Sequence, residues 1–254
     1  VIDALLVRWS PIPTPMPPDG ARVAITGISG ATTLSGMAIN MFRPRRASDV
    51  KGLGGVLAYI LDTDVTTSNA FYNMFYSYNW RQRTYFLSDV LHADFSVVDV
   101  IVIGYDTGLW SDEKRVEKIL SSGKPVIAIG TGGTKFLDKV KPPDLYIGWL
   151  NSAVGTSTHG YVDNPTLVTY FFDNPITIPA DNLLQIATSA KPYVAVYNPP
   201  TSVTKVLREP TETSYWIVAQ EDRFMHWGHE ASPIYMTTAG KNLFINCLYY
   251  MQGK

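Results

Sequence analysis

VIVIGYDTGLWSDEKRVEKILSSGKPVIAIGTGGT, residues Val100–Thr134, is the stretch that decides the fold class. Two apolar runs, each followed by glycine, flank one charged amphipathic segment with almost no spacer. Because fully apolar strands are buried on both faces, the pattern predicts a right-handed βαβ unit of a parallel sheet. The second run ends at Gly130-Thr131-Gly132-Gly133, a strand-to-helix turn of the kind that presents a nucleophile in many α/β enzymes. Here that turn carries threonine.

Alternating strands and helices extend on both sides of this unit. The predicted strands are Val56–Leu61, Thr84–Val90, Val100–Gly104, Val126–Ile129, Leu145–Trp149, Thr166–Phe172, Tyr193–Tyr197 and Tyr215–Ala219. Helices are expected to begin at Thr67 or Ser68, at Ser111, near Phe136, and again before Phe244. The last helix places Cys247 on its apolar face, which predicts a core residue rather than a reactive thiol. The fold class is therefore α/β, a parallel sheet with helices on both faces.

The first 50 residues differ from this body and are predicted to form an N-terminal arm with β-segments. Val1–Trp9 is apolar, and the proline-dense Ser10–Gly20 that follows is expected to be extended and semi-rigid. Such an arm should lie against a sheet edge or groove, and we expect contact with another copy, a homo-oligomer, in preference to docking on its own domain. The assembly residues would be Val1, Ile2, Leu5, Leu6, Val7 and Trp9. The α/β domain would span 51–254, with an irregular β-rich insertion at about 151–210.

Composition excludes several classes of function. Formal net charge is −1, from 21 basic and 22 acidic residues, so neither nucleic acid nor an anionic membrane is indicated as a partner. No apolar run reaches the roughly 18 residues of a membrane-spanning helix. One cysteine and four histidines without ligand spacing predict neither a metal site nor a disulfide, and no cofactor is expected.

Weaker signals concern location. Frequent tyrosine and proline with one cysteine favour an extracellular or cell-surface protein, or a heat-adapted one, with a cytoplasmic location as the alternative. A first residue Val1 fits removal of a leader and trimming equally well.

GKPVIAIGTGG (Gly123–Gly133) and the late GHEASP and GKNLFINCL, at 228–233 and 240–248, resemble the class I glutamine amidotransferase-like superfamily. The resemblance covers roughly Gly55–Met251 and implies a flavodoxin-like fold. It also implies a cysteine nucleophile at the turn and a histidine and glutamate from the late segment. This chain has Thr131 at the turn, and its His229 and Glu230 are adjacent, whereas the family separates the two by one residue. His226 is the other candidate for the histidine position.

Three hypotheses remain open. The first is a non-catalytic amidotransferase-like domain that binds a ligand, such as a small molecule or glycan, or a protein. The second is a hydrolase or sugar-processing enzyme similar to the trehalose-utilisation branch, using Asp106, His229 and Glu230. The third is a structural subunit joined through the arm. A ligand site would lie at the carboxyl ends of the strands, lined by Asp106, Thr107, Gly132, Gly133 and Thr134, with His229 and Glu230 opposite.

Overall fold

The computed structural model describes residues 54–108, 110–141, 144–165 and 174–253. The strands are β1 (Val56–Leu61), β2 (Arg81–Phe86), β3 (Val100–Ile103), β4 (Val126–Ile129), β5 (Ser152–Ser157), β6 (His159–Tyr161), β7 (Leu183–Gln185), β8 (Lys191–Tyr197), β9 (Thr204–Arg208), β10 (Tyr215–Glu221) and β11 (Phe224–Trp227). The α-helices are α1 (Val65–Ser77), α2 (Glu113–Ser121), α3 (Gly130–Leu137) and α4 (Thr238–Gln252), and 3₁₀ turns occupy Leu87–His92 and Trp149–Asn151. The predicted N-terminal arm and the predicted strand Thr166–Phe172 lie outside the described residues.

The sheet has a parallel half and an antiparallel half. Strands β2, β1, β3, β4 and β11 pair in that order, all parallel, which is the strand order of a flavodoxin-like fold. From β11 the sheet continues through antiparallel β10, β9, β6 and β7, while β8 pairs with β10 and carries β5. The predicted α/β class with a parallel sheet is confirmed.

Helices cover both faces of the parallel half. On β1, Leu57 and Tyr59 face the core formed with α1 and α4, whereas Ala58 and Ile60 face the core formed with α2 and α3. Cys247 of α4 is 2% exposed, so its prediction as a core residue is confirmed. Burial raises the pKa of its thiol, which disfavours the reactive thiolate.

Two strand predictions are wrong. The predicted strand Thr84–Val90 is displaced: β2 ends at Phe86, and a 3₁₀ turn follows because Leu87 and Val90 are both buried at a three-residue spacing. Residues Leu145–Trp149 form no strand, since the backbone N–H groups of Tyr146 and Ile147 donate to the Glu221 carboxylate instead of to a neighbouring strand.

The fifth parallel strand is instead β11, which lies in a segment where no strand was predicted. Its four residues, FMHW, are all buried although one is histidine.

Helix starts also differ from expectation. Asp64 and Asp112 cap α1 and α2 in place of Thr67 and Ser111, and α3 begins at Gly130 rather than near Phe136.

Candidate functional site

The turn between β4 and α3 is built around Gly130. Its φ is +52°, a left-handed conformation that side chains other than glycine rarely adopt, and it is the first residue of the helix. Thr131, the candidate nucleophile, is the second helical residue and is half-buried. The residue at the apex of the turn, where a nucleophile would be presented, is therefore Gly130, which has no side chain.

A carboxylate fills the space next to this apex. The Oε1 atom of Glu230 accepts a hydrogen bond of 2.7 Å from the backbone N–H of Thr131. A Cβ atom added to Gly130 would lie 2.7 Å from that Oε1 and 2.9 Å from Cδ of Glu230. Because a helix N-terminus favours negative charge, Glu230 occupies the position in which the turn would hold an anionic ligand or a developing oxyanion.

His229 lies next to Glu230 in sequence but is engaged elsewhere. Its Nε2 is 3.0 Å from the carbonyl of Ser157, and its Nδ1 accepts a 3.2 Å bond from the N–H of Ala231. Since a carbonyl can only accept, the proton sits on Nε2. Burial, the largest cause, lowers the pKa of His229, and the nearby charge of Lys191 lowers it further. Both ring nitrogens are hydrogen-bonded to backbone groups, so His229 is not available as a base for Thr131.

His226, the alternative candidate, is an interior residue of β11. It is fully buried, with Nε2 at 2.9 Å from the carbonyl of Val194 and Nδ1 at 3.1 Å from Oγ1 of Thr134. Burial lowers its pKa to about 4, which keeps the ring neutral. His226 therefore cross-links β11, β8 and α3 inside the sheet and has no route to a ligand at the turn.

Four of the five predicted ligand-lining residues are buried, namely Thr107, Gly132, Gly133 and Thr134. The hydroxyl of Thr107 donates to the carbonyl of Gly104 at 2.9 Å and accepts from the indole of Trp110 at 3.2 Å. The N–H of Gly132 donates to the carbonyl of Tyr105 at 2.8 Å, and a Cβ on Gly133 would meet the backbone of Ala128. These residues pack the β3 and β4 loops together rather than line an open mouth.

Asp106, the fifth, is partly exposed and binds the loop after β1. Its Oδ2 accepts hydrogen bonds from three consecutive backbone N–H groups, those of Asp62 (3.1 Å), Thr63 (2.8 Å) and Asp64 (2.7 Å). Three converging N–H groups form a concave anion-binding arrangement, and here its occupant is a side chain of the same protein. At the carboxyl edge of the sheet, internal carboxylates thus occupy both the N–H cluster after β1 (Asp106) and the N–H of Thr131 at the start of α3 (Glu230).

Tyr105 and Asp64 complete this edge, and sequence reasoning missed both. The hydroxyl of Tyr105 donates to Asp64, whose other carboxylate oxygen caps α1 by accepting from the N–H of Thr67 at 2.9 Å. Burial and then the bond to Asp64 raise the pKa of Tyr105 to about 12. Burial raises the pKa of Asp64, but the bonds from Tyr105 and the Thr67 N–H outweigh it and leave that pKa below its usual value. An Asp three residues before Thr67 is a capping signal that was available in the sequence.

Among the described residues, no group of three or more His, Cys, Asp or Glu side chains could hold a metal ion. No helix in the same part of the chain is long and apolar enough to cross a membrane.

Comparison with known proteins yields likeness in structure only. No protein-family model and no curated protein sequence matches the chain. Among solved structures, a glutamine amidotransferase from Thermotoga maritima has 13% identity and a TM-score of 0.49, with 78% of this chain and 98% of that chain covered. PurLQS from the same organism has 13% identity and a TM-score of 0.48, with 78% of this chain and 99% of that chain covered. A candidate GMP synthase subunit from Thermoplasma acidophilum has 11% identity and a TM-score of 0.47, with 78% of this chain and 95% of that chain covered.

One of these neighbours is itself described as a glutamine amidotransferase. At this identity the likeness concerns the fold alone, and each neighbour's activity remains a property of that neighbour.

Proposed function

We propose that this chain is a non-catalytic amidotransferase-like domain that acts by binding in an assembly rather than by turning over a substrate. One observation carries the proposal: the apex of the turn is Gly130, and the Glu230 carboxylate occupies the space beside it. Covalent catalysis needs a nucleophile with a base within hydrogen-bond reach, and an oxyanion site with free donors. Here the donor N–H of Thr131 is already bonded to a negative charge.

The alternative of a hydrolase using Asp106, His229 and Glu230 is less well supported. Each of the three groups is hydrogen-bonded to the backbone of the protein itself, at 2.7–3.2 Å. A general acid or base must reach the substrate proton directly or through one water molecule. These side chains would first have to leave their backbone partners, which would uncover the N–H groups that they now satisfy.

The test is a turnover assay on the full chain and three variants. Glutaminase and esterase activity are measured for the parent, for Thr131→Ala, for Glu230→Gln, and for Thr156→Ala as a control at an exposed position of β5. We expect no variant to differ from the parent and none to exceed the rate without protein. Turnover that Thr131→Ala or Glu230→Gln abolishes, and that the control retains, would overturn the proposal, because loss of a catalytic group costs several orders of magnitude in rate.

The finer proposal is self-association through the N-terminal arm. Its support is the sequence: Val1–Trp9 carries six large apolar residues ahead of a proline-dense connector. We expect deletion of residues 1–10 to convert an assembled species into a monomer in analytical ultracentrifugation, with the melting of the α/β domain unchanged. If the shortened chain sediments like the full chain and has only lost stability, the self-association proposal fails.

A further inference from the structure

A cavity of about 580 Å³ lies at the amino ends of β1 and β2, the edge of the sheet opposite the β4–α3 turn. Its volume falls in the range of about 300–1,000 Å³ that is usual for small-molecule sites. The lining combines backbone, aromatic and polar groups, contributed by Gly54, Gly55, Val56, Tyr76, Asn79, Trp80, Arg81 and Asp99. None of these residues belongs to the site described above.

Close approach at Gly55 brings three side chains together at one wall of this cavity. A Cβ on Gly55 would lie 2.5 Å from Oδ2 of Asp99, 2.7 Å from Nε2 of Gln252 and 2.7 Å from the Trp80 ring. Trp80 is 1% exposed, and its indole Nε1 has no hydrogen-bond partner among the described residues. Such a buried donor is uncommon in folded proteins and is expected to find a partner.

The polar groups of the lining are only partly used within the protein. One oxygen of Asp99 accepts a 2.8 Å bond from the N–H of Val56, and its other oxygen makes no hydrogen bond to a described residue. Arg81 is exposed and forms no ion pair in the described part of the chain. Asn79 is exposed and holds the turn between α1 and β2 in a left-handed conformation, with φ at +63°.

Tyr76 supplies an exposed aromatic wall. It is 71% exposed, the most exposed aromatic side chain in the described residues, and its ring stacks on that of Tyr72 with an interplanar angle of 12°. An exposed aromatic face beside a carboxylate acceptor, an amide and a guanidinium suits a ligand with an apolar ring face and a rim of hydroxyl groups.

We propose that this cavity binds a neutral saccharide. The ring face of the sugar packs on Tyr76, while its hydroxyls donate to the second oxygen of Asp99 and accept from Asn79 and Arg81. A charged ligand is not favoured, because the lining holds one carboxylate, Asp99, and one guanidinium, Arg81. A purely apolar ligand would remove water from three polar side chains without replacing its hydrogen bonds. The inference goes beyond the proposed function, since binding at the amino edge needs nothing from the turn at the carboxyl edge.

The test is titration of the full chain with maltotriose, cellotriose and chitotriose, read by calorimetry and by amide chemical shifts. We expect at least one trisaccharide to bind saturably and to shift the amides of Gly55, Asn79 and Arg81. Tyr76→Ala and Arg81→Ala should each weaken that binding by about tenfold or more, as expected for a lost stacking face or charged hydrogen bond. Both side chains are exposed, so circular dichroism should show an unchanged fold. Tyr197→Ala is the matched control, because this 50% exposed tyrosine of β8 lies outside the cavity lining.

Three outcomes would overturn the proposal. They are no binding of any of the three sugars up to about 10 mM, binding that Tyr76→Ala and Arg81→Ala leave unchanged, and shifts confined to the carboxyl edge around Gly130. The turnover assay of the proposed function is independent, because sugar binding can succeed or fail without any change in the rates measured there.

Discussion

At the scale of single residues, Gly130 and Glu230 decide what the β4–α3 turn can do. The turn needs a left-handed residue, and the neighbouring carboxylate leaves no room for a side chain on it. Nucleophile turns tolerate the strained backbone, so it is the occupied space beside Gly130 that excludes a nucleophile side chain at the apex.

We expect Gly130→Ala to lower the free energy of unfolding by more than the cost of placing an alanine in the left-handed conformation, which is about 1–2 kcal/mol. Urea unfolding should show an extra loss of about 1 kcal/mol or more, since the new Cβ would meet Glu230. Gly123→Ala is the control, because Gly123 has φ of +68° and nothing within 4 Å of an added Cβ. In a Glu230→Ala background the extra loss should vanish. Equal losses at the two glycines in the parent would refute this account.

His226 makes stability depend on pH. Its folded-state pKa of about 4 lies below the usual 6.5, so the unfolded chain takes up a proton first as the pH falls. The stabilisation is therefore full above about pH 6.5 and is lost as the pH falls towards 4. The difference between the folded and the usual pKa of His226 corresponds to a total loss of about 3 kcal/mol in the free energy of unfolding.

We expect His226→Gln to flatten the dependence of unfolding free energy on pH between 7 and 4.5. The measurement is urea unfolding at a series of pH values, compared by slope because the substitution also changes absolute stability. His92→Gln serves as control, since His92 is exposed and should leave the slope of the parent intact. A slope that is the same in all three proteins would contradict the role given to His226. His229, whose pKa burial also lowers, is expected to contribute to the slope that remains in His226→Gln.

At the scale of elements, helix α4 is held by asparagines as well as by its apolar face. Asn246 is fully buried and bonds to three atoms of Asn174: the backbone N–H at 3.0 Å, the carbonyl at 3.0 Å and the side-chain amide at 2.9 Å. Asn242 donates to the carbonyl of Pro175 at 3.0 Å and accepts from the hydroxyl of Tyr78 at 2.6 Å. The segment after residue 173 is thereby fastened to the helix.

Asn246→Ala should lower the free energy of unfolding by about 2 kcal/mol, because it removes the three hydrogen bonds that the half-buried Asn174 makes with Asn246. Hydrogen exchange at the Asn174 amide should accelerate together with the loss of stability. Asn73→Ala, on the exposed side of α1, should stay within about 0.5 kcal/mol of the parent. If exchange at Asn174 is unchanged in Asn246→Ala, the side-chain bonds do not hold the segment.

At the scale of the whole molecule, β11 joins the two halves of the sheet. It pairs parallel with β4 over Phe224–Trp227 and antiparallel with β10 on its other side. One core contains Ile127 of the parallel half together with Leu207 and Ile217 of the antiparallel half, and Trp227 packs edge-on against Phe244 at 4.9 Å. The two halves therefore share strands and core.

We expect residues 54–253 to unfold in one cooperative step, because neither half keeps a closed core without the other. Far-ultraviolet and near-ultraviolet circular dichroism during urea unfolding should give coincident transitions. Trp227→Phe should shift both signals by the same amount, and Trp149→Phe, at a partly exposed site, should shift neither appreciably. Separate midpoints for the two signals would show that the halves unfold independently.

The sequence by itself determined the parallel half of the sheet and the helices around it. Val56–Leu61, Val100–Ile103 and Val126–Ile129 are apolar on both faces, and such runs are stable only between two layers of helix. The amphipathic pattern likewise located α4 and the core position of Cys247. These inferences succeed because periodicity is a local property of the chain.

Only the tertiary structure decided the character of the site and the identity of the fifth strand. The sequence FMHW does not predict a buried strand, because it contains a histidine. It forms β11 because the ring nitrogens of His226 are hydrogen-bonded to Thr134 and to the carbonyl of Val194. Thr131 matched the nucleophile position by sequence alone, whereas the backbone places Gly130 at the apex. The carboxylate beside it comes from Glu230, 99 residues after Thr131 in the chain, and contacts at that separation leave no pattern in the local sequence.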